Sequence, residues 1–204
     1  LWAYTSILPL AFLALVLMAC MPSPEGTEAE EVSAQQITFA GELLPDNPVF
    51  ESGLEATLNK LKANPEYCTK VLLRGARFQD EITPLLLDNG VHSDFFYLAM
   101  AESGLDPEAN SSMGACGIWQ FMPATAESYG MAITNEVDER KHLTKSTVGA
   151  AQYLAKYHEE FGSWTAAALA YNRGPKAVRE TDPGANGEGF FQLDHDRGYL
   201  YRTI

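Results

Sequence analysis

The sequence predicts an all-α fold with at most a minimal β element. Beyond residue 50, apolar side chains recur at i, i+3 and i+4 in one window after another, and residues that start or stop helices bracket those windows. No stretch alternates apolar and polar residues for long enough to propose a main sheet. With 204 residues, 46% of them hydrophobic, the chain can bury one sizeable core, so a single globular domain with flanking segments is expected.

Helical spacing covers residues 50–62, then about 68–89 with breaks allowed at Gly75 and Pro84, then 93–103. Ser93 suits the N-cap of the third window, with Asp94 in its first turn and Gly104 as its stop. Pro123 fits the first turn of a short helix ending near Gly130. A longer helix runs from about Ser146 to Phe161, with Val148, Ala151, Leu154, Ala155 and Phe161 inside and Gly162 ending it. Ser163 then caps a helix whose inner face is Trp164, Ala167, Ala168 and Tyr171, which brings a phenol to the core side. The chain stops at Ile204 in what reads as the middle of a last helix, and a truncated C-terminus is expected.

Ahead of the domain, Ile7 to Met18 is apolar, too short to span a bilayer comfortably, and leads into Leu17-Met18-Ala19-Cys20. A small residue directly before Cys after such a stretch looks like a bacterial lipobox. A buried helix with an incidental Cys, or a short membrane anchor, are the competing readings. The lipobox reading divides the chain into a signal peptide over 1–19, a linker over 20–45 lipidated at Cys20, and a domain over 46–204. Within the domain, 50–75 is a helical lead-in and 76–200 the motif-bearing core. Residues 21–36, rich in Pro, Ser, Glu, Thr and Gly, form the flexible part of the tether.

The net charge of −13 is concentrated in that tail: eight acids precede Lys60, the first base, which leaves 19 acids and 14 bases in residues 60–204. Neither part carries the basic patch that nucleic-acid binding requires, and that class is excluded. With Cys20 assigned to lipid, Cys68 and Cys116 remain, and buried free thiols are the simpler account of them than a disulfide. No Cys-x-x-Cys or His-Glu-x-x-His occurs, and His92, His142, His158 and His195 are scattered, so no metal is expected. No Ser or Cys nucleophile with a His partner is recognisable either.

The feature that carries chemistry is Glu102. Phe95, Leu98 and Ala99 mark one helical face, and the i+7 position on it is this carboxylate. A carboxyl group driven inward tends to keep its proton, which makes a general acid. Periodicity alone leaves a second reading open, because Gly104 and Pro107 follow closely and a terminal side chain can reach water or pair with an Arg.

The surrounding residues are more specific. Glu102-Ser103 is followed by Ala109-Asn110-Ser111, by Gly114-Ala115-Cys116-Gly117, and by Ile118-Trp119-Gln120. Downstream come Asp138-Glu139-Arg140, Gly149-Ala150-Ala151-Gln152-Tyr153-Leu154, and Ala168-Leu169-Ala170-Tyr171-Asn172-Arg173-Gly174-Pro175. Over about residues 76 to 200 this series resembles the lytic transglycosylases that carry a soluble-transglycosylase, goose-lysozyme-like domain. Trp119 and Phe121-Met122-Pro123 resemble its membrane-bound D-type branch in particular. No LysM-type second module is recognisable.

The resemblance implies a lysozyme-like helical domain with a substrate groove. It implies non-hydrolytic cleavage of peptidoglycan between N-acetylmuramic acid and N-acetylglucosamine, without cofactor, by a monomer whose partners are glycan strands and, through the lipid, a membrane. The location implied is the bacterial cell envelope, on the periplasmic face of the outer or inner membrane. Glu102 would be the catalytic acid. Ser111 and Gln120 would hydrogen-bond substrate, Met122 would form an apolar wall, and Tyr171 would orient or tune Glu102. Asn172 would support the Tyr171 turn. On spacing alone Ser111 reads equally as a turn cap, Gln120 and Met122 as ordinary helix residues, and Tyr171 as core. Hydrolytic glycosidases employ two carboxylates. Asp138 and Glu139 are the candidates for a second one here, although an Asp-Glu-Arg run is more often a cap or salt bridge. The rival expectations are a goose-type hydrolase with a water-activating carboxylate, and a glycan-binding lipoprotein without activity.

Overall fold

The computed structural model describes residues 37–44 and 48–181. The expectations for the apolar stretch, Cys20, the tether to residue 36 and the chain beyond residue 181 lie outside the described residues. A two-stranded antiparallel hairpin, β1 (Thr38–Phe39) and β2 (Glu42–Leu43), precedes the helices α1 (Pro48–Lys62), α2 (Pro65–Asp88), α3 (Phe95–Ser103), α4 (Pro123–Ser128), α5 (Leu143–Phe161), α6 (Trp164–Arg173) and α7 (Pro175–Arg179). One 3-10 turn, Glu139–Lys141, leads into α5. The described fold is thus helical with minimal β, as the periodicity indicates.

Helix α2 runs unbroken through both expected interruptions. Gly75 is buried, and Phe96, Met100 and Leu105 lie at ordinary packing distance, 3.9–4.0 Å, from where a Cβ would stand. Pro84 faces outward, where water can satisfy the carbonyl it leaves unbonded, while Ile82 and Leu86 on the buried face hold the helix together. Helix α3 begins at Phe95 with Asp94, rather than Ser93, at the N-cap. Asp94 makes no capping bond; its Oδ2 accepts instead from the Ala40 N–H of the hairpin at 2.9 Å.

The core lies where α5 packs between α6 and α2, with α3 against α2. Helix α6 is buried from Thr165 to Ala170 without a break, which marks it as a central helix rather than an amphipathic one. Its four alanines keep it thin enough for neighbours to approach closely. Ser163 caps it, with Oγ accepting from Ala166 N–H at 3.2 Å. Gly162, in the left-handed conformation, ends α5 as expected.

The hairpin is the departure from the expected organisation. Phe39, Ala40 and Leu44 join the buried core, and the Phe39 ring meets Phe95 edge-on at 5.1 Å. Glu42 reaches the start of α6, accepting from the hydroxyls of Ser163 and Thr165 at 2.9 Å each, from Thr165 N–H at 3.0 Å and from Trp164 N–H. The expected linker over 20–45 therefore includes a stretch, 37–44, that packs with the domain. The sequence could not show this, because strands of two residues are too short to alternate.

Candidate active site

Glu102 lies in the last turn of α3, half-buried, at the end of the face built by Phe95, Leu98 and Ala99. Gly104 closes the helix with φ +61°, its N–H donating to Met100 O at 2.8 Å. The residues beyond are held from two directions. Ser103 Oγ donates to Ile118 O at 2.8 Å and accepts from Asp106 N–H at 3.2 Å. Arg74 on α2 donates to Gly104 O at 3.2 Å and to Asp106 at 2.6 Å. The helix end bearing Glu102 is thereby tied to the loop that carries Gln120.

That loop, residues 109–122, folds back on itself. Cys116 pairs with both Asn110 and Phe121, and Gly117 N–H donates to Ala109 O at 2.9 Å. Gly117 has φ +79°, and a Cβ there would stand 2.1 Å from Arg140 O, so only glycine fits. Arg140 is buried; it engages the Asp138 carboxylate at 2.9 and 2.6 Å and donates to Gly114 O at 2.7 Å and Phe121 O at 3.0 Å. Hydrogen bonds from Arg140 hold the Asp138 carboxyl below its ordinary range. Glu139 accepts from Ala132 N–H at 2.8 Å and pairs with Lys145. Both candidates for a second carboxylate are thus engaged, Asp138 with the arginine that fastens the loop and Glu139 with Ala132 and Lys145.

Gln120 occupies the left-handed region at φ +50°, uncommon for a residue with a side chain. Its Nε2 donates to Gly117 O at 2.8 Å and Ala109 O at 3.3 Å, which leaves Oε1 as the atom it can offer to a ligand. Ser111 is exposed; its Oγ accepts from Ala115 N–H at 2.9 Å, so it caps the turn and keeps its hydroxyl hydrogen for donation. Met122 is 44% exposed.

Tyr171 faces this loop from α6. Its hydroxyl donates to Trp119 O at 2.8 Å, and its ring meets Trp119, Phe121 and Tyr153 edge-on. Burial pushes the phenol's pKa well above the ordinary value, and the nearby Glu102 charge adds to that. The hydroxyl therefore stays protonated and keeps donating. Trp119 is fully buried and donates from its ring N–H to Thr147 at 2.9 Å.

A cavity of about 590 Å³ opens beside Tyr171, lined among others by Gln120, Met122, Tyr129, Tyr153 and Asn172. Of the expected site residues, Gln120, Met122 and Tyr171 share this cavity; Glu102 and Ser111 stand outside its lining, Glu102 close enough to Tyr171 for its charge to raise the phenol's pKa. Sequence reasoning passed over Arg140 as a clamp, Ser103 as the tie between helix and loop, and Tyr153, whose hydroxyl donates to Ala170 O at 2.7 Å. Ser103 had a local signal in its place beside Glu102, and the Asp-Glu-Arg run signalled the Asp138–Arg140 pair but not the contacts of Arg140 with the loop. Cys68 and Cys116 are both buried and free. Among the described residues no group of three or more His, Cys, Asp and Glu could hold a metal ion.

Fold and site define a helical domain in which one carboxylate at a helix end lies near a tyrosine that is bonded to a clamped loop. Residues 88–190 match the Transglycosylase SLT domain family, and the chain belongs to that family. The membrane-bound lytic murein transglycosylase D of Escherichia coli is 29% identical over 139 residues, which make up 66% of this chain and 31% of that protein. The peptidoglycan transglycosylase of Escherichia phage T7 is 33% identical over 116 residues, 55% of this chain and 9% of the relative. A transglycosylase of Enterobacteria phage PRD1 is 36% identical over 77 residues, 38% of this chain and 27% of the relative. The chain therefore spans less than a third of the length of these relatives.

Proposed function

We propose that the domain is a peptidoglycan lytic transglycosylase, cleaving between N-acetylmuramic acid and N-acetylglucosamine and leaving anhydromuramoyl ends. The observation that carries the reading is that Glu102 stands close enough to Tyr171 for its charge to raise the phenol's pKa, and that Tyr171 is bonded to the clamped loop, while Asp138 and Glu139 are engaged elsewhere. The family membership and the names of the relatives support it.

One carboxyl group suffices for this chemistry. Glu102 donates its proton to the glycosidic oxygen as the bond to the muramic acid anomeric carbon breaks. The C6 hydroxyl of the same sugar then bonds to that carbon, and Glu102 takes back the hydroxyl proton. An internal nucleophile has a high effective concentration, so no second carboxylate need position water. In this scheme Gln120 Oε1 and the Ser111 hydroxyl bind the sugar, Met122 supplies an apolar wall, and Tyr171 holds the Trp119 carbonyl so that loop and acid keep their spacing. The location proposed is the cell envelope, with Cys20 as the lipid attachment site; the membrane-bound Escherichia coli relative supports the envelope part.

The test is mass analysis of products from purified peptidoglycan. Anhydromuropeptides are expected. Products heavier by one water, with free reducing ends, would instead make the domain a goose-type hydrolase.

A further inference from the structure

In a chain with a net charge of −13, the cavity beside Tyr171 is lined, among the described residues, by two cations, Lys156 and Arg173, and by no Asp or Glu. Seven bases lie between residues 100 and 181. Five of them, Arg140, Lys141, Lys145, Lys176 and Arg179, make ion pairs. The other two line this cavity. Lys156 Nζ lies 5.1 Å from the centre of the Tyr157 ring, which holds the ammonium at the wall. Glu160, the acid whose carboxyl also feels Lys156, is held by Arg179 at 2.6 and 3.0 Å. On the same wall, Asn172 Oδ1 is buried and accepts no hydrogen bond. A buried acceptor without a donor is costly, and a ligand N–H would relieve that cost. The cavity thus presents two positive charges, and its wall contains one acceptor without a donor.

Resting on the peptidoglycan reading, we propose that Lys156 and Arg173 form an anion subsite for the free carboxylates of the peptide carried by muramic acid, with Asn172 Oδ1 accepting from a peptide N–H. A peptide-free muramic acid supplies an acetamido N–H and one lactyl carboxylate, but not an N–H and several anions on one arm. A peptide with free carboxylates supplies both. The subsite would make the domain favour strands that still bear charged peptides over strands from which peptides have been removed.

The test is equilibrium binding, which needs no cleavage. Three soluble probes are compared: N-acetylglucosaminyl-N-acetylmuramyl-alanyl-glutamate, the same compound with its carboxylates converted to amides, and the peptide-free disaccharide with its free lactyl carboxylate. The expected result is at least about tenfold tighter binding of the charged dipeptide than of either other probe. In K156Q/R173Q, with folding checked by circular dichroism, that preference should collapse. Equal binding of the charged and amidated probes, or a preference that survives in the double variant, would overturn the proposal. Equally tight binding of the peptide-free disaccharide would overturn the assignment to peptide carboxylates. Assay of anhydro products on the same preparation separates the two readings: absent products with charge-dependent binding would refute the catalytic proposal and uphold this one, and the reverse result would refute only this one.

Discussion

The hydroxyl of Tyr171 donates to the main-chain carbonyl of Trp119 at 2.8 Å, which ties the central helix to the loop that presents Gln120. The same phenol feels the charge of Glu102. One side chain thus joins the three parts of the proposed site, and removing its oxygen should affect both stability and turnover.

Tyr171→Phe should lower stability by about 1–2 kcal/mol, since the Trp119 carbonyl loses its donor in partly buried surroundings. Turnover per folded molecule should fall more than about tenfold, because the loop loosens relative to Glu102. Chemical denaturation and product formation on the same samples check this. A stability loss with unchanged turnover would make Tyr171 a core residue only.

Gly117→Ala should destabilise the domain by several kcal/mol, because the added Cβ would meet Arg140 O at 2.1 Å in a left-handed conformation. Gly114→Ala is the control. That residue is equally left-handed, at φ +90°, but nothing stands within 4 Å of its added Cβ, so the cost should be only about 1 kcal/mol. Urea denaturation of the two variants side by side measures the difference.

Acid should loosen the loop. Arg140 depresses the Asp138 carboxyl, so this pair's contribution is fully present above the unfolded value of about 3.9 and is lost as pH falls through the lower folded value. Asp138→Asn should be less stable at neutral pH by about 2 kcal/mol, and its melting temperature should fall less steeply than the wild type's between about pH 4 and pH 2. Parallel slopes for both proteins would show that the pair does not control the acid transition.

Glu42→Ala should detach the hairpin. Its carboxylate accepts from the Thr165 N–H and from the hydroxyls of Ser163 and Thr165, and it also meets the Trp164 N–H. Losing it removes acceptors at the start of a buried helix, at a cost of about 2 kcal/mol. Hydrogen exchange at Ala40 and Thr165 should speed up in the variant and stay slow in the wild type.

The helices were legible where a strong period met a clear stop, as at Gly104 and Gly162, and where a cap was chemically obvious, as at Ser163. Glu102 and Tyr171 followed from the same periodicity. Illegible were contacts between residues far apart in sequence. Arg140 clamps Gly114 and Phe121 from beyond another helix, and Glu42 caps a helix more than a hundred residues away. No local pattern encodes either. Helix α2 also runs through Gly75 and Pro84, which read locally as breaks, because burial of Ile82 and Leu86 and packing against α3 outweigh them.

If Glu102 alone moves the proton, anhydromuropeptide release from purified peptidoglycan by wild type and by Glu102→Gln at equal folded concentration must show it. Anhydro products are expected from the wild type, and a rate at least about a hundredfold lower from the variant, whose fold is retained. A Glu102→Gln protein keeping more than about a tenth of the wild-type rate would contradict this role of Glu102.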